Sequence, residues 1–447
     1  MTTQKPTWIP LLVLLAVAVL ALFTDLPGTI PTEGIDTGDT AWLIVASGLV
    51  LLMTPGLAYF YGGMVNHKNV ISTMLQSFIA MGVISVIWVI FGFSLAFGDS
   101  IGGWIGDPTT FFMFNHVFDH KLSLGSSDQI KFTIPFALFA FFQMKFAVIT
   151  PALISGALAE RINFKAYVLF MVLFCICVYS PLAHWTWHPD GFLFNLGVLD
   201  FAGGTVVHMS AGWAALAGAL YLRRRKSHIE YNILPPANIP YVLLGTALLW
   251  FGWFGFNAGS ALGANSLSVT AFATTHIAAA SAGLSWILFD VTRGKKVSAL
   301  GFCIGAVVGL VAITPAAGFV TLPVAIFIGV IAALVSNIIA HWRASSNLDD
   351  TLDVFPCHGV GGMMGMLMTG IFATSAVNSA VAGNGLFYGE TDLFVKHILA
   401  LAIVSAFAFG VSYILLIVTD KIIPLRVNEE EERLGLDISQ HDESISE

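Results

Sequence analysis

Eleven apolar runs, each close to the length that crosses about 30 Å of hydrocarbon, follow one another along this chain. They fall at approximately 41–61, 70–97, 132–157, 166–184, 201–222, 239–262, 267–290, 298–316, 322–341, 355–375 and 393–418. A surface patterned in this way belongs in lipid, where each helix must satisfy its own backbone hydrogen bonds. The expected fold class is an all-α polytopic membrane protein of eleven transmembrane helices. Apolar residues make up 57% of the chain and charged residues only 10%, well outside the soluble range.

An earlier apolar run, Trp8 to Phe23 behind Lys5, reads as a signal peptide or an extra first helix. The expected organisation is therefore residues 1–35 as a leader or anchor with a linker, 36–420 as the membrane domain, and 421–447 as a soluble tail. Much of the net charge of −8 lies in that tail, so it says little about partners and disfavours nucleic acid.

Orientation follows from the basic residues. If the first of the eleven runs starts outside, the inner loops and tail hold Lys68, Arg161, Arg223, Arg224, Arg225, Lys226, Arg343, Arg426 and others, whereas the outer loops hold only Lys121, Lys131 and Lys396. The tail is then cytoplasmic.

An odd number of spans invites a search for two five-span halves related by inversion, with the site at their interface. Ile149-Thr-Pro-Ala152 and Ile313-Thr-Pro-Ala316 echo each other, and two spans open on an acid followed by a histidine: Asp200 with His208, and Asp353 with His358. Counted from those acids at about 1.5 Å per residue, the histidines lie roughly 12 and 8 Å deep from opposite faces. An axial gap of order 10 Å remains in a core of about 30 Å. Only broken or displaced helix starts, which Gly203, Gly204 and Pro356 permit, would bring the rings together.

A histidine inside a span normally faces protein or a water-filled path. Two in mirrored places can line a narrow pore and share a proton between ring nitrogens, or serve as polar glue between helices. Asp200 and Asp353 are expected to cap their helix starts, and Glu160 to pair with the adjacent Arg161. His184 and His188 have a metal-like spacing without a third ligand nearby in sequence, and no metal or other cofactor is expected. Cys175, Cys177, Cys303 and Cys357 all lie in apolar stretches as reduced core residues. No phosphate-binding loop, nucleophile elbow or metalloprotease pattern appears, so an enzyme is not expected.

Four stretches carry a resemblance: Asp200-Phe-Ala-Gly-Gly-Thr-Val-Val-His208; Phe146-Ala-Val-Ile-Thr150 with Gly156-Ala-Leu-Ala-Glu-Arg161; Trp253-Phe-Gly-Phe-Asn-Ala-Gly-Ser260; and Asp353-Val-Phe-Pro-Cys-His-Gly359. Together they resemble the ammonium transporter (Amt/Mep/Rh) family, from about residue 36 to the tail, where Leu425-Arg-Val and Leu434-Gly-Leu-Asp437 also match. The resemblance implies a homotrimer in the cell inner membrane, each protomer with its own pore. It implies ammonium recruitment at Trp187, Ser260 and Phe146 with Asp200 nearby, a gate of Phe146 and Phe256, and pore histidines His208 and His358. It also implies a PII-type signalling protein as a cytoplasmic partner. Composition alone cannot select these aromatics among 36 phenylalanines and 11 tryptophans.

Two residues depart from the family pattern. Lys145 precedes the gate residue where a neutral side chain is usual, and His188 follows Trp187 where a small residue is usual. Both leave room for a second reading, an ammonium-sensing receptor with little conduction. The tail carries no kinase or cyclase domain, which favours transport.

Overall fold

The computed structural model describes residues 8–24, 29–230 and 235–445. Lys5 lies outside them. Within the described residues α1 spans Ile9–Ala21, α2 Thr37–Met64, α3 His67–Phe97, α4 Phe136–Leu158, α5 Phe164–Leu196, α6 Gly204–Leu222, α7 Ile239–Gly259 and α8 Ser266–Thr292. They are followed by α9 Ala299–Ile313, α10 Leu322–Ala344, α11 over 355–372, α12 Asp392–Ile422, and two tail helices, α13 Glu429–Leu434 and α14 Leu436–His441. Nine of these are long and apolar enough to cross a membrane. The expected spans at 298–316 and 355–375 are the shorter α9 and the interrupted α11. Helix α1 buries none of its residues.

Several helices start where a short polar side chain can accept from the first free amides. Asp36 caps α2, Asn163 α5, Asn238 α7, Asn265 α8 and Ser298 α9. Between α3 and α4 the chain forms two small antiparallel hairpins, Ser100–Ile101 with Ile105–Gly106 and Ser123–Leu124 with Ile130–Lys131.

Small residues let the helices approach closely, as expected where lipid supplies no hydrophobic drive between them. A Cβ added at Gly255 on α7 would sit 2.6 Å from the Ala46 carbonyl oxygen of α2, and one at Gly63 would sit 2.6 Å from the Asn238 carbonyl oxygen. Large apolar side chains such as Phe251, Phe272, Leu288 and Ile414 remain on the outside.

Among the described residues four helices contain a π turn: α3 at Trp88–Gly92, α5 at Cys175–Tyr179, α6 at Gly204–Met209 and α11 at Phe355–Val360. The last two hold His208 and His358. Such widened turns often mark functional positions, and here they supply the broken helix starts that contact between the rings requires. Gly203, at φ +115°, makes the left-handed bend into α6 that glycine tolerates best.

Two expected pairings are corrected. Glu160 does not pair with Arg161: its carboxylate accepts from Arg225 at 2.7 Å and from the Asn66 amide at 2.6 Å. Arg161, fully buried, instead donates to the Asp349 carbonyl and to Thr351 Oγ1. The left-handed backbone at Glu160, φ +70°, ends the stretch at a turn, so neighbours in sequence diverge.

Asp353 does not cap α11 either. Its carboxylate pairs with Arg343 at 2.7 Å, while Asp350 accepts from the Val354 amide at 3.1 Å and the Phe355 amide at 2.7 Å. Asp350 thus stands eight residues before His358, as Asp200 stands eight before His208, and the mirrored register is tighter than the one counted from Asp353. Burial, with Asp353 beside it, pushes the Asp350 carboxyl up to about 6.

Candidate functional site

Asp200 organises the start of α6. Its carboxylate accepts from the backbone amides of Gly203, Gly204 and Thr205 at 2.7–2.8 Å and from the Thr205 hydroxyl at 2.5 Å. This is the expected capping role, and it commits both oxygens. The Asp200 carbonyl in turn accepts from Trp187 Nε1 at 3.1 Å, which fixes the indole over the outer cavity.

That cavity holds about 650 Å³ and is walled by Phe142, Gln143, Phe146, Trp187, Asp200 and Ser260 among others. Trp187 meets Phe146 edge to face, centroids 5.8 Å apart, and Phe146 lies against Phe256 at 4.3 Å with 35° between the planes. Ser260 Oγ donates to the Phe256 carbonyl at 2.8 Å, which leaves the lone pairs of this cavity-lining residue as acceptors. Ring faces and an acceptor oxygen suit a small cation bearing N–H groups.

Beneath the Phe146–Phe256 pair lies a second cavity of about 10 Å³, lined by His208, His358, Trp253, Phe256, Ile149 and Val207 among others. That is space for about one small molecule. The tilted phenyl pair lies between it and the outer cavity. His208 lies near-parallel to Trp253, centroids 5.4 Å apart, and Trp253 is anchored by its Nε1 on Thr314 Oγ1 at 2.9 Å.

The two histidines meet. Nδ1 of His358 is 3.3 Å from Nδ1 of His208, and both side chains are buried. A neutral imidazole has one N–H, so a shared Nδ1–H leaves one ring with an Nε2 donor and the other with an Nε2 acceptor. His208 Nε2 is buried with no hydrogen-bond partner among the described residues, an unusual vacancy for a polar atom. The approach is possible because Gly212 and Gly359 bring α6 and α11 into backbone contact; a Cβ at Gly212 would collide with Gly359 N and Cα.

Lys145 is absent from both cavity walls. Half-buried on α4, its ammonium group lies 5.7 Å from the Phe141 ring centre and 3.7 Å from Met144 Sδ. His188 stacks on His184 at 4.5 Å, and both are tied to the protein: His184 to the Ala96 carbonyl and Ser100, His188 to the Asp190 amide. Among the described residues no cluster of three or more His, Cys, Asp or Glu is placed to hold a metal. Sequence reasoning missed Asp350 and Gln143; the equal eight-residue spacing to each histidine was the available signal for the first.

The model of the Ammonium Transporter Family matches residues 41–445. An ammonium transporter of Bacillus subtilis is 47% identical over 422 residues, covering 91% of this chain and 98% of that one. Ammonium transporter Amt1 of Archaeoglobus fulgidus is 41% identical over 406 residues, covering 91% and 98%. Among solved structures, Saccharomyces cerevisiae Mep2 superposes with a TM-score of 0.82 at 34% identity, covering 89% of each chain, and a Sensor Amt Protein with 0.80 at 30% identity, covering 90% and 98%.

Proposed function

Since this chain belongs to the Ammonium Transporter Family, we propose that it captures ammonium in the outer cavity, strips a proton at the phenylalanine gate and conducts ammonia past His208 and His358. Trp187, Phe146 and Ser260 hold the cation, with Asp200 shaping the site from behind. A full charge at the bilayer centre costs from about 3 to more than 10 kcal/mol, so a passage of this bore and polarity favours the neutral species. The released proton crosses separately along the imidazole pair, and the net event is electrogenic.

The observation that carries this reading is the histidine contact at 3.3 Å below the Phe146–Phe256 pair. It lines a dry passage with one donor and one acceptor, the groups that a single ammonia can use in turn.

The protein is further proposed to be a homotrimer of the cell inner membrane with its tail cytoplasmic. The lopsided distribution of lysine and arginine supports the orientation, and the family resemblance supports the assembly and a PII-type partner at the cytoplasmic face. The likeness to a Sensor Amt Protein favours a second reading, in which occupancy is reported rather than conducted. Proteoliposomes on a solid-supported membrane separate the two: transport predicts a saturable current on an ammonium jump and none on a potassium jump. Ammonium binding without current supports the sensor.

A further inference from the structure

Gln143 lies three residues before Phe146 on α4, on the same helical face and about 4.5 Å nearer the outer end. Its side chain is 8% exposed, lines the outer cavity, and leaves Oε1 buried without a hydrogen-bond partner among the described residues. Buried polar atoms are nearly always paired, and an unmade bond is costly. Because Gln143 lines the cavity, a half turn of its terminal amide brings this orphan acceptor to the cavity surface, where the missing donor arrives from outside the protein.

The neighbouring polar groups narrow what that donor is. The Trp187 N–H is spent on the Asp200 carbonyl, the Ser260 hydroxyl proton on the Phe256 carbonyl, and the Asp200 carboxylate on the start of α6. What these residues leave for a ligand is oxygen lone pairs and aromatic faces, a set that suits a cation rich in N–H; Lys396, on the same wall, is paired with Asp392 at 2.7 Å. We propose that Gln143 is a substrate-positioning residue of the outer cavity, its Oε1 accepting an N–H of ammonium one helical turn outside the Phe146 ring. The assignment rests on the reading of this cavity as the capture site. It also gives the site a preference: ammonium offers four N–H groups to Gln143, Ser260 and the rings, whereas methylammonium offers three and a methyl group.

The test uses the full chain in proteoliposomes, with ammonium and methylammonium jumps on a solid-supported membrane. Gln143→Leu is expected to raise the half-saturating ammonium concentration about ten-fold, the scale of one hydrogen bond to a charged group, with maximal current within about two-fold. It is also expected to narrow the preference for ammonium over methylammonium. Gln143→Glu restores an acceptor and returns half-saturation to the wild-type value or below. Half-saturation unchanged in Gln143→Leu, or equal loss of maximal current in both variants with half-saturation intact, overturns the proposal. If Gln143→Leu does not assemble, Gln143→Asn retains the amide on a shorter arm; it is expected to weaken half-saturation, and a wild-type value overturns the proposal. A wild-type protein showing neither current nor a thermal shift with ammonium would instead overturn the reading of the cavity on which this assignment stands.

Discussion

The ammonium group of Lys145 stands over Phe141, and Lys145 forms no part of the vestibule wall. A lysine pointing inward at about 5 Å from a bound cation would repel it by roughly 3 kcal/mol at an effective dielectric near 20, enough to weaken binding by over a hundredfold. With Lys145 turned aside, Lys145→Met is expected to change half-saturation for ammonium by less than about two-fold, against the hundredfold tightening that inward repulsion would predict. The sequence could not decide this, because adjacent helical positions differ by about 100° in direction and either azimuth was open. Nor could residue type select Trp187, Phe146, Phe256 and Ser260, which came from resemblance. The two histidines were different: a polar ring inside a span already demanded an explanation.

At the level of the helix, the apolar runs and the capping residues were legible, and among the described residues nine helices of membrane length follow them. The π turns were not, since an extra residue in a turn leaves no periodic mark; only Gly203, Gly204 and Pro356 hinted at broken starts. Counting from Asp353 rather than Asp350 also misplaced one start, because two acids three residues apart offered the same local signal and only the Arg343 partner distinguishes them. The crossing of α6 and α11 at Gly212 carries a clear prediction. Gly212→Val should separate the histidine helices and destabilise the protein by about 1–3 kcal/mol or more through overpacking. Gly48→Ala, where an added Cβ meets nothing within 4 Å, should leave the melting temperature unchanged or slightly raised. Equal melting behaviour of the two variants in detergent would refute the close contact as a structural requirement.

Across the whole molecule, the tail is bound back onto the membrane domain. Asp437 accepts from the Ile71 and Ser72 amides at the start of α3, the Leu436 amide donates to Asn69, and His441 contacts Ser72 at 3.1 Å. Arg426 reaches the Leu222 and Arg224 carbonyls at 2.7 and 2.9 Å, next to the Arg225 bridge from Glu160 to Asp349. Burial lowers the His441 pKa below its ordinary value. A histidine held neutral in the docked tail contributes stability that is complete above its unfolded value of about 6.5 and is lost as pH falls toward the folded value. Burial raises Asp437, so that carboxyl works in the opposite sense, favouring docking at low pH and losing its contribution as pH rises through the folded value. With the histidine dominant, limited proteolysis cuts the wild-type tail faster at pH 5.5 than at pH 7.5, and His441→Gln, which leaves only the opposing carboxyl, abolishes or inverts that difference. Faster cutting at pH 5.5 that survives in His441→Gln would assign it elsewhere. The sequence announced a soluble acidic tail but not its docking, because its partners lie more than 200 positions away in the chain.

The account depends most on the imidazole pair beneath Phe146 and Phe256, and one recording tests it directly. Ammonium-evoked current should be measured in proteoliposomes carrying the His208→Ala, His358→Ala double variant beside the wild type at equal protein density. Loss of the ammonium-selective current in a folded double variant is the predicted result; a current of wild-type size and selectivity would contradict the account.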